Sequence, residues 1–576
     1  RQRCSPDPPG LCFFGAAWSP SRSTFFGTIE YSRDIRREPM SADVHPRDRR
    51  TDPCEDGRWR RGAVVLLMTA AVLRIAYLIW ACPYTLIEDE AHYWEWSRRL
   101  EWSYYTKGPG VAWVIAGVTR VLGEEEWAIR APAVLASFIM GLAVAGLAAD
   151  ISGRWRVGFL AAVACLLPPI LQATGLMMTI DGPYSACWAV AMWAGWRALG
   201  RGTPSYLILV GAALGIGVLF KYTALLALPG LVWYAWKTRG GRPASAKWWW
   251  MSAALFAAAV SPIAAWNTAN DWPTFRHLLG HLGMQGGDVY VPRTPPKEWM
   301  SLRWMPEYIG AQAALWGPVL ALALAQGWAA TRGRTCAARR SAEVYLLSGA
   351  APTLLVYLIV SLFTRPEGNW PLAGYLTLLP LAAWRVADNP TRFTKHWWRA
   401  SIVMGVITAL SLAGLDRVAK LPGIGRFVPL HRFMGADVLA QHTHELAESL
   451  RAETGREPFI LAMHYGRASQ LAYYLPGRPT VYCSSSLMLG GRPVQYDYWE
   501  ETDLRRALQL RGRPAILFGA TLEDWAAVFQ RVEQVGLLRA EGKSDRPAFR
   551  GYGFLGFPRG GIPFDPGSRT SRRVRE

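Results

Sequence analysis

The chain has 576 residues, of which 51% are hydrophobic and 18% charged, and its formal net charge at pH 7 is +20. Soluble proteins carry more charge, about a quarter of their residues. The basic residues lie mostly in short loops between apolar runs, and no DNA- or RNA-binding motif is present, so nucleic acid is not the expected partner. The composition instead predicts a membrane protein whose partner is the lipid bilayer.

The N-terminal segment 1–60 mixes Pro, Arg, Ser and Asp without periodicity, which predicts disorder. It lacks the apolar core of a signal peptide. Met40 is a candidate start, in which case residues 1–39 would not be translated.

Apolar segments of about 15–24 residues recur from residue 63 to residue 415, near the length that a bilayer requires. They predict about eleven spans within a transmembrane domain at 61–418. The segments are 63–82, 127–149, 157–174, 183–199, 204–220, 222–236, 248–266, 307–330, 342–363, 371–387 and 398–415.

Basic residues occupy every second connection between these segments, beginning with Arg58, Arg60 and Arg61 before the first span. By the positive-inside rule, this alternation predicts a multi-pass protein of the cytoplasmic (inner) membrane with its N-terminus in the cytoplasm. The run 109–122 is too short to cross and would reverse the alternation. We therefore predict that it lies along the outer interface, a depth that suits Trp113.

From about residue 425 the composition becomes that of a soluble protein. Strands at 458–463, 479–482 and 514–518 alternate with helices at 466–475, 503–511 and 521–534, which predicts a small extracytoplasmic α/β domain over 425–558 with a mainly parallel sheet. No glycine-rich phosphate fingerprint follows these strands, so we expect no nucleotide site. Residues 559–576 are predicted to be a disordered tail.

The eight cysteines show neither C-x-x-C nor Cys/His zinc spacing, which predicts no disulfide framework and no structural zinc. We expect neither a metal nor a cofactor. Cys82 and Cys483 are both predicted outside the cytoplasm, so a disulfide between them stays open.

Three consecutive carboxylates, Glu88-Asp89-Glu90, follow the first span at the predicted outer face. Asp89 and Glu90 are candidates for a general base that takes the proton of an attacking hydroxyl. The alternative is a solvated helix start, because carboxylates favour helix N-termini. Asp181, in the second outer loop, is a candidate second active-site carboxylate, and its alternative role is a helix N-cap.

Cations occupy the same predicted face. Lys107, Lys221 and Arg276 are candidates for binding a departing phosphate, whose developing charge they would stabilise. Lys107 and Arg276 could instead be solvated loop charges, whereas Lys221 stands among apolar residues and must snorkel or pair. The candidates for binding the sugar or the acceptor are Tyr93, Glu367, Asn369 and Trp370. For the three residues at 367–370, the alternative role is loop capping.

The ordered set of motifs resembles the GT-C membrane glycosyltransferases of family 39, the group of dolichyl-phosphate-mannose protein mannosyltransferases and lipid A aminoarabinose transferases. The resemblance covers about residues 60–535. Its motifs are Asp89-Glu90-Ala-His-Tyr-Trp, Lys107-Gly-Pro, Met178-Thr-Ile-Asp181-Gly-Pro, Lys221-Tyr-Thr-Ala, Asp271-Trp…Phe275-Arg276 and Glu367-Gly-Asn369-Trp370-Pro. The chain departs from the family where Gly108-Pro109 replaces the frequent Pro-Pro.

The resemblance implies a polyprenyl-phosphate-linked sugar donor and inverting transfer to the hydroxyl of a lipid, glycan or protein acceptor. By position, it implies that Asp89 is the general base, that Asp181 is a second carboxylate, and that Lys107, Lys221 and Arg276 hold the lipid phosphate. It also implies that no metal is required.

Two other classes remain open. A transporter or flippase of lipid-linked sugars should show internal repeats and charged groups in broken helices at the membrane midplane, and the sequence shows neither. A structural membrane protein would leave the clustering of charged residues in the outer loops without a purpose.

Overall fold

The computed structural model describes residues 53–238, 245–281, 287–288, 304–332, 337–423, 425–488, 493–538, 546–558 and 561–562. The predictions for residues 1–52 and for most of the tail at 559–576 lie outside these ranges. The first helix begins at Pro53, so the end of the segment 1–60 is helical and not disordered.

Helices make up the first part of the chain. They are α1 (Pro53–Trp80), α2 (Glu88–Arg98), α3 (Gly110–Leu122), α4 (Glu126–Ser152), α5 (Trp155–Leu166), α6 (Pro169–Thr174), α7 (Asp181–Gly195), α8 (Tyr206–Phe220), α9 (Ala227–Lys237), α10 (Ala246–Ala269), α11 (Pro273–His281), α12 (Trp304–Trp316), α13 (Pro318–Thr331), α14 (Ala337–Val360), α15 (Leu372–Leu376), α16 (Leu379–Asp388), α17 (Arg392–Ala413) and α18 (Leu415–Ala419). A π-helical turn, Trp196–Gly200, extends α7, and a 3-10 turn, Tyr222–Leu226, precedes α9.

Each predicted span coincides with one helix or with a broken pair of helices. Within the described ranges, four single helices are long and apolar enough to cross a membrane: Pro53–Trp80, Glu126–Ser152, Ala246–Ala269 and Arg339–Val360. The pair Trp304–Trp316 and Pro318–Ala330 passes the same test together but is bent by 105°. A polytopic helical architecture is thus supported, while the count of about eleven spans stays a prediction.

The bend between α12 and α13 corrects the prediction of one continuous helix over 307–330. Gly317 has a φ of +61°, a conformation that glycine adopts without steric cost, and Pro318 follows it. Proline has no N–H to continue the helical hydrogen bonds, so the chain stops and restarts at this point. The prediction for 109–122 was a helix, and α3 is one; its depth in the interface stays a prediction.

The last part of the chain combines helices with one sheet. Its elements are α19 (Ala436–Thr454), α20 (Tyr465–Tyr474), α21 (Ser485–Met488), α22 (Leu522–Ala526), β1 (Phe459–Ala462), β2 (Val481–Cys483), β3 (Ala515–Phe518), β4 (Phe529–Leu538) and β5 (Arg546–Phe554). The strand order is β2-β1-β3-β5-β4. Strands β1, β2 and β3 are parallel, whereas β5 runs antiparallel to both β3 and β4.

Two predicted helices of this part are wrong, and the sheet is mixed rather than mainly parallel. Segment 503–511 consists of turns and a short 3-10 helix, and segment 521–534 contains only α22 before β4 begins. Strand β4 forms because β5 supplies its hydrogen-bonding partner and because Phe529 packs on Phe459 and Phe554. That partner lies downstream at 546–554, beyond the reach of local periodicity.

The two faces of the sheet pack differently. One face, with Ile460 and Ile516, joins the same apolar core as the helices around α2. The other face, with Leu461 and Leu517, packs on a separate core around Trp525. Helix α20 lies directly against α2. This packing brings the last part of the chain to the acidic first turn of α2.

Cys82 and Cys483 are both free, so the disulfide that the sequence left open is not formed.

Candidate active site

Asp89 lies in the first turn of α2, where the helix N-terminus favours a negative charge. The residue before the helix, Ile87, is extended, and the helix then presents three carboxylates in succession. Asp89 is exposed, and its carboxylate makes neither a hydrogen bond nor an ion pair with any described residue. It is therefore open to a substrate.

Glu90 points the opposite way and is fully buried. Its carboxylate forms a two-point ion pair with Arg130, with N–O distances of 3.0 and 2.8 Å. The same oxygens accept the backbone N–H of Met178 at 2.8 Å and of Ile87 at 3.1 Å. These bonds fasten α2 to α4 and to the segment before α7, and they leave Glu90 no free oxygen for a substrate.

Lys107 is half-buried and donates a hydrogen bond from Nζ to the Tyr93 hydroxyl at 2.8 Å. Its backbone is fixed by reciprocal bonds with Tyr104, and its carbonyl also accepts from the Ser103 hydroxyl. Among the residues that the structure describes, no carboxylate pairs with this ammonium. A positive charge at this depth without a counter-ion is a ready site for an anion.

A second charged group centres on Asp181, which begins α7 and is buried. One carboxylate oxygen accepts from Lys221 Nζ at 2.7 Å, and the other accepts from Asn369 Nδ2 at 2.6 Å. Lys221 follows the last residue of α8 and has a side chain 12% exposed, so it resolves its burial by pairing. Asn369 lies in the turn before α15.

Tyr93 connects the two charged groups. Burial raises its pKa well above the ordinary value, and the charges of Asp89 and Asp181 raise the pKa further. Both carboxylates therefore lie near the phenol that also holds Lys107. Its hydroxyl keeps its proton at neutral pH and accepts from the lysine.

Gly108 explains how the loop carrying Lys107 reaches the end of α8. A Cβ at this position would lie 2.4 Å from the carbonyl oxygen of Leu219, which is a backbone atom. Only glycine permits this approach, and Lys221 follows two residues after Leu219. The glycine at position 108, where the family frequently has proline, is therefore required by the close approach of Leu219. Helix α3 begins directly after Pro109.

The structure leaves Arg276 and Glu367 outside these contacts. Both are exposed, and neither side chain forms a hydrogen bond or ion pair with a described residue. Arg276 acts electrostatically on Tyr498, in the last part of the chain. Trp370 is half-buried beside Tyr357, with ring centroids 5.7 Å apart.

Sequence reasoning missed several residues around α2. Arg130 lay inside a predicted span, where an ionisable residue is itself a signal of a buried partner. His92 belongs to the predicted first-loop motif, and the structure adds that its Nδ1 lies 3.0 Å from Ser469 Oγ of α20. Tyr465, the first residue of α20, packs on the His92 ring at 4.6 Å. No local pattern indicates contacts with residues so distant in sequence.

Within the described ranges, no group of three or more His, Cys, Asp or Glu side chains is arranged to hold a metal ion.

The whole architecture has a counterpart among solved structures. ArnT from Cupriavidus metallidurans aligns with a TM-score of 0.56 and 15% identity, over 85% of this chain and 98% of that protein. The chain has the ArnT fold. The same enzyme bound to undecaprenyl phosphate aligns equally well, with a TM-score of 0.56 over 86% of this chain and 99% of that protein.

Sequence comparisons agree with the fold. Residues 106–266, which include Lys107, Asp181 and Lys221, match the family model described as dolichyl-phosphate-mannose-protein mannosyltransferase. The predicted resemblance to GT-C glycosyltransferases is thereby confirmed.

Two curated relatives are similar over part of their length. The lipid A galacturonosyltransferase RgtD of Rhizobium johnstonii is 26% identical over 51% of this chain and 59% of its own length. The undecaprenyl phosphate-alpha-4-amino-4-deoxy-L-arabinose arabinosyl transferase of Edwardsiella ictaluri is 27% identical over 61% of this chain and 64% of its own length. The chain thus covers less than two thirds of either relative.

Proposed function

We propose that this protein is a membrane glycosyltransferase that moves a sugar from a polyprenyl-phosphate donor to an acceptor hydroxyl at the extracytoplasmic face. The observation that carries the proposal is the pair of unsatisfied charges around Tyr93. Asp89 is an open carboxylate, and Lys107 is a half-buried ammonium without a carboxylate partner in the described part of the chain. The relatives named as galacturonosyl and arabinosyl transferases support the same reaction class.

The proposed chemistry is a single displacement. The acceptor oxygen attacks the anomeric carbon, its proton passes to the Asp89 carboxylate, and the bond from that carbon to the phosphate oxygen breaks. The leaving phosphate gains negative charge, which the Lys107 ammonium stabilises. Attack opposite to the leaving group inverts the anomeric carbon.

The other charged residues take supporting roles in this proposal. Lys221 donates one of its three hydrogens to Asp181, so it retains donors for a phosphate while Asp181 sets its position. Glu90, predicted from the sequence as catalytic, is removed from the proposed catalytic set because Arg130 and two backbone amides occupy its oxygens. Arg276 and Glu367 stay proposed site residues, although neither side chain contacts the charged groups around Tyr93 in the described part of the chain.

The test compares neighbouring carboxylates of α2. A strain lacking the gene is complemented with wild type, Asp89→Asn or Glu88→Gln, and mass spectrometry of envelope lipids and glycans follows the product that the deletion removes. We expect Asp89→Asn to reduce product formation by about 100-fold or more, since general-base catalysis contributes about that much. Glu88 is the matched control, because it is the neighbouring carboxylate and its side chain is 40% exposed, but it already contacts His464 at 3.6 Å and Arg467 at 3.8 Å.

Wild-type product levels in the Asp89→Asn strain would refute the assignment of the base. A deletion that changes no envelope lipid, glycan or glycoprotein would refute the transferase proposal itself.

A further inference from the structure

Tyr465 comes from the last part of the chain, yet it stands at the edge of the proposed active site. It begins α20, and its ring packs against His92 of α2 with centroids 4.6 Å apart. His464, the residue before it, also packs on this ring, with centroids 4.4 Å apart. The ring is thus packed against α2 rather than free on the surface.

The backbone of Tyr465 is also fixed. Its carbonyl accepts a hydrogen bond from Ser469 Oγ at 2.9 Å, and the same hydroxyl is in contact with His92 Nδ1 at 3.0 Å. Gly466 allows α20 to approach α2, because a Cβ there would lie 2.5 Å from the Glu88 side chain. These contacts hold the ring and the backbone of Tyr465 against α2.

That hydroxyl has no hydrogen-bond partner among the described residues, although the side chain is partly buried. The charged groups of the proposed site act on it electrostatically. Burial raises its pKa, the charges of Asp89, Tyr93 and Glu88 raise it further, and the Lys107 ammonium acts in the opposite direction. The phenol therefore keeps its proton at neutral pH and is a hydrogen-bond donor without an acceptor.

We propose that Tyr465 donates a hydrogen bond to the phosphate of the lipid-linked donor, next to Lys107. This inference rests on the proposed function. A phosphate offers only acceptor oxygens at neutral pH and gains charge as it leaves, so a neutral donor assists it. The acceptor hydroxyl must instead lose its proton to a carboxylate, a step to which a protonated phenol contributes nothing.

The experiment measures binding of two lipids to the purified full-length protein in nanodiscs by native mass spectrometry. The probes are undecaprenyl phosphate and undecaprenol, which share the chain and differ in the phosphate. The variants are Tyr465→Phe, Lys107→Met and the control Tyr473→Phe, which lies on the same helix but donates to the Glu124 carbonyl. Tyr465→Phe retains the ring against His92 and removes only the hydroxyl oxygen and its proton.

We expect Tyr465→Phe to weaken undecaprenyl phosphate binding by about tenfold, the usual size for losing one hydrogen bond to a charged group. Undecaprenol binding should be unchanged, and Tyr473→Phe should match wild type with both lipids. An unchanged preference for the phosphate in Tyr465→Phe would overturn the inference, as would an equal loss for both lipids. If wild type itself does not prefer the phosphate over the alcohol, the proposed function fails; if Lys107→Met alone loses the preference, only the role of Tyr465 fails.

Discussion

Three successive carboxylates have three different environments, because each residue of a helix is turned by about 100° from the one before. Glu88 faces α20, where it contacts His464 and Arg467, Asp89 faces open space, and Glu90 faces the protein interior. The environment of each carboxylate therefore depends on its position around the helix and not on the number of acidic residues. Asp89 is available to a substrate because Glu90 anchors the helix beside it.

Replacing Glu90 by Gln should destabilise the protein by about 3–5 kcal/mol, since it leaves Arg130 buried with an uncompensated charge. Both side chains of the pair are nearly inaccessible, at 0% and 4% exposure. Denaturant unfolding of the detergent-solubilised protein measures the change. Asp89→Asn is the matched control and should stay within about 0.5 kcal/mol of wild type, as exposed substitutions do. Wild-type stability of Glu90→Gln would refute the anchoring role.

At the residue scale, the sequence predicted several of the charged side chains that the fold brings near Tyr93, but it did not predict which of them already have a partner. Their roles stay predictions. Asp89 stands close to a predicted span, and Lys221 stands among apolar residues; both are local signals in the sequence. Both residues belong to the charged groups around Tyr93. The partners are distant in sequence: Arg130 lies 40 residues from Glu90, and Asn369 lies 188 residues from Asp181. Only the fold shows which carboxylate is occupied.

At the scale of elements, the site depends on the close contact between the loop before α3 and the end of α8. Gly108→Ala would push a Cβ into the Leu219 carbonyl and move Lys107 away from Lys221. We expect product formation to fall by about 100-fold, because a displacement of about 1 Å in an active site can cost that much. Gly117→Ala, on the exposed face of α3 with no atom within 4 Å, is the control and should retain activity.

Wild-type activity in the Gly108→Ala protein would show that this contact does not set the spacing of the two lysines. Unfolding measurements on both alanine variants separate a local displacement from a general loss of structure.

The contact between α2 and α20 should make stability depend on pH through His92. Burial, followed by the nearby charges of Lys107 and His464, holds the pKa of His92 well below its ordinary value of 6.5. His92 binds a proton near pH 6.5 in the unfolded chain but stays neutral in the folded protein. Its contribution to the free energy of unfolding is therefore fully present above pH 6.5 and is lost as the pH falls. At pH 5.5 the expected loss is about 1.4 kcal/mol.

The measurement compares the free energy of unfolding at pH 7.5 and pH 5.5 in wild type and in His92→Gln. Between pH 7.5 and pH 5.5, the free energy of unfolding of His92→Gln should change by about 1.4 kcal/mol less than that of wild type. This comparison holds even if the substitution alters stability equally at both pH values. Equal pH dependence in the two proteins would mean that His92 titrates alike in the folded and unfolded states. His396→Gln serves as the control, because His396 is exposed and lies on α17, away from the contact between α2 and α20.

At the scale of the whole molecule, the order of helices and strands followed from periodicity wherever a segment was long and apolar. Periodicity did not predict the bend at Gly317 or the strands β4 and β5. The bend depends on the backbone conformation of one glycine, and the strands depend on pairing with each other. The division into a transmembrane domain and an α/β domain remains a prediction. In the structure, one apolar core runs from the helices around α2 into a face of the sheet.

This shared core predicts that the sheet and α2 unfold together. Ile516→Ala removes a fully buried side chain of β3 that belongs to the shared core, and should cost about 2–5 kcal/mol. If the two regions form one cooperative unit, hydrogen exchange should accelerate by a similar factor in peptides covering β1 and in those covering α2. The link is α20, which bonds to His92 of α2 and to the Leu86 carbonyl and packs on β1. Leu508→Ala, at a 65% exposed position nearby, should leave both unchanged. Acceleration confined to the sheet would instead establish an independent C-terminal domain, and Tyr465 would then reach the site only while that domain is docked.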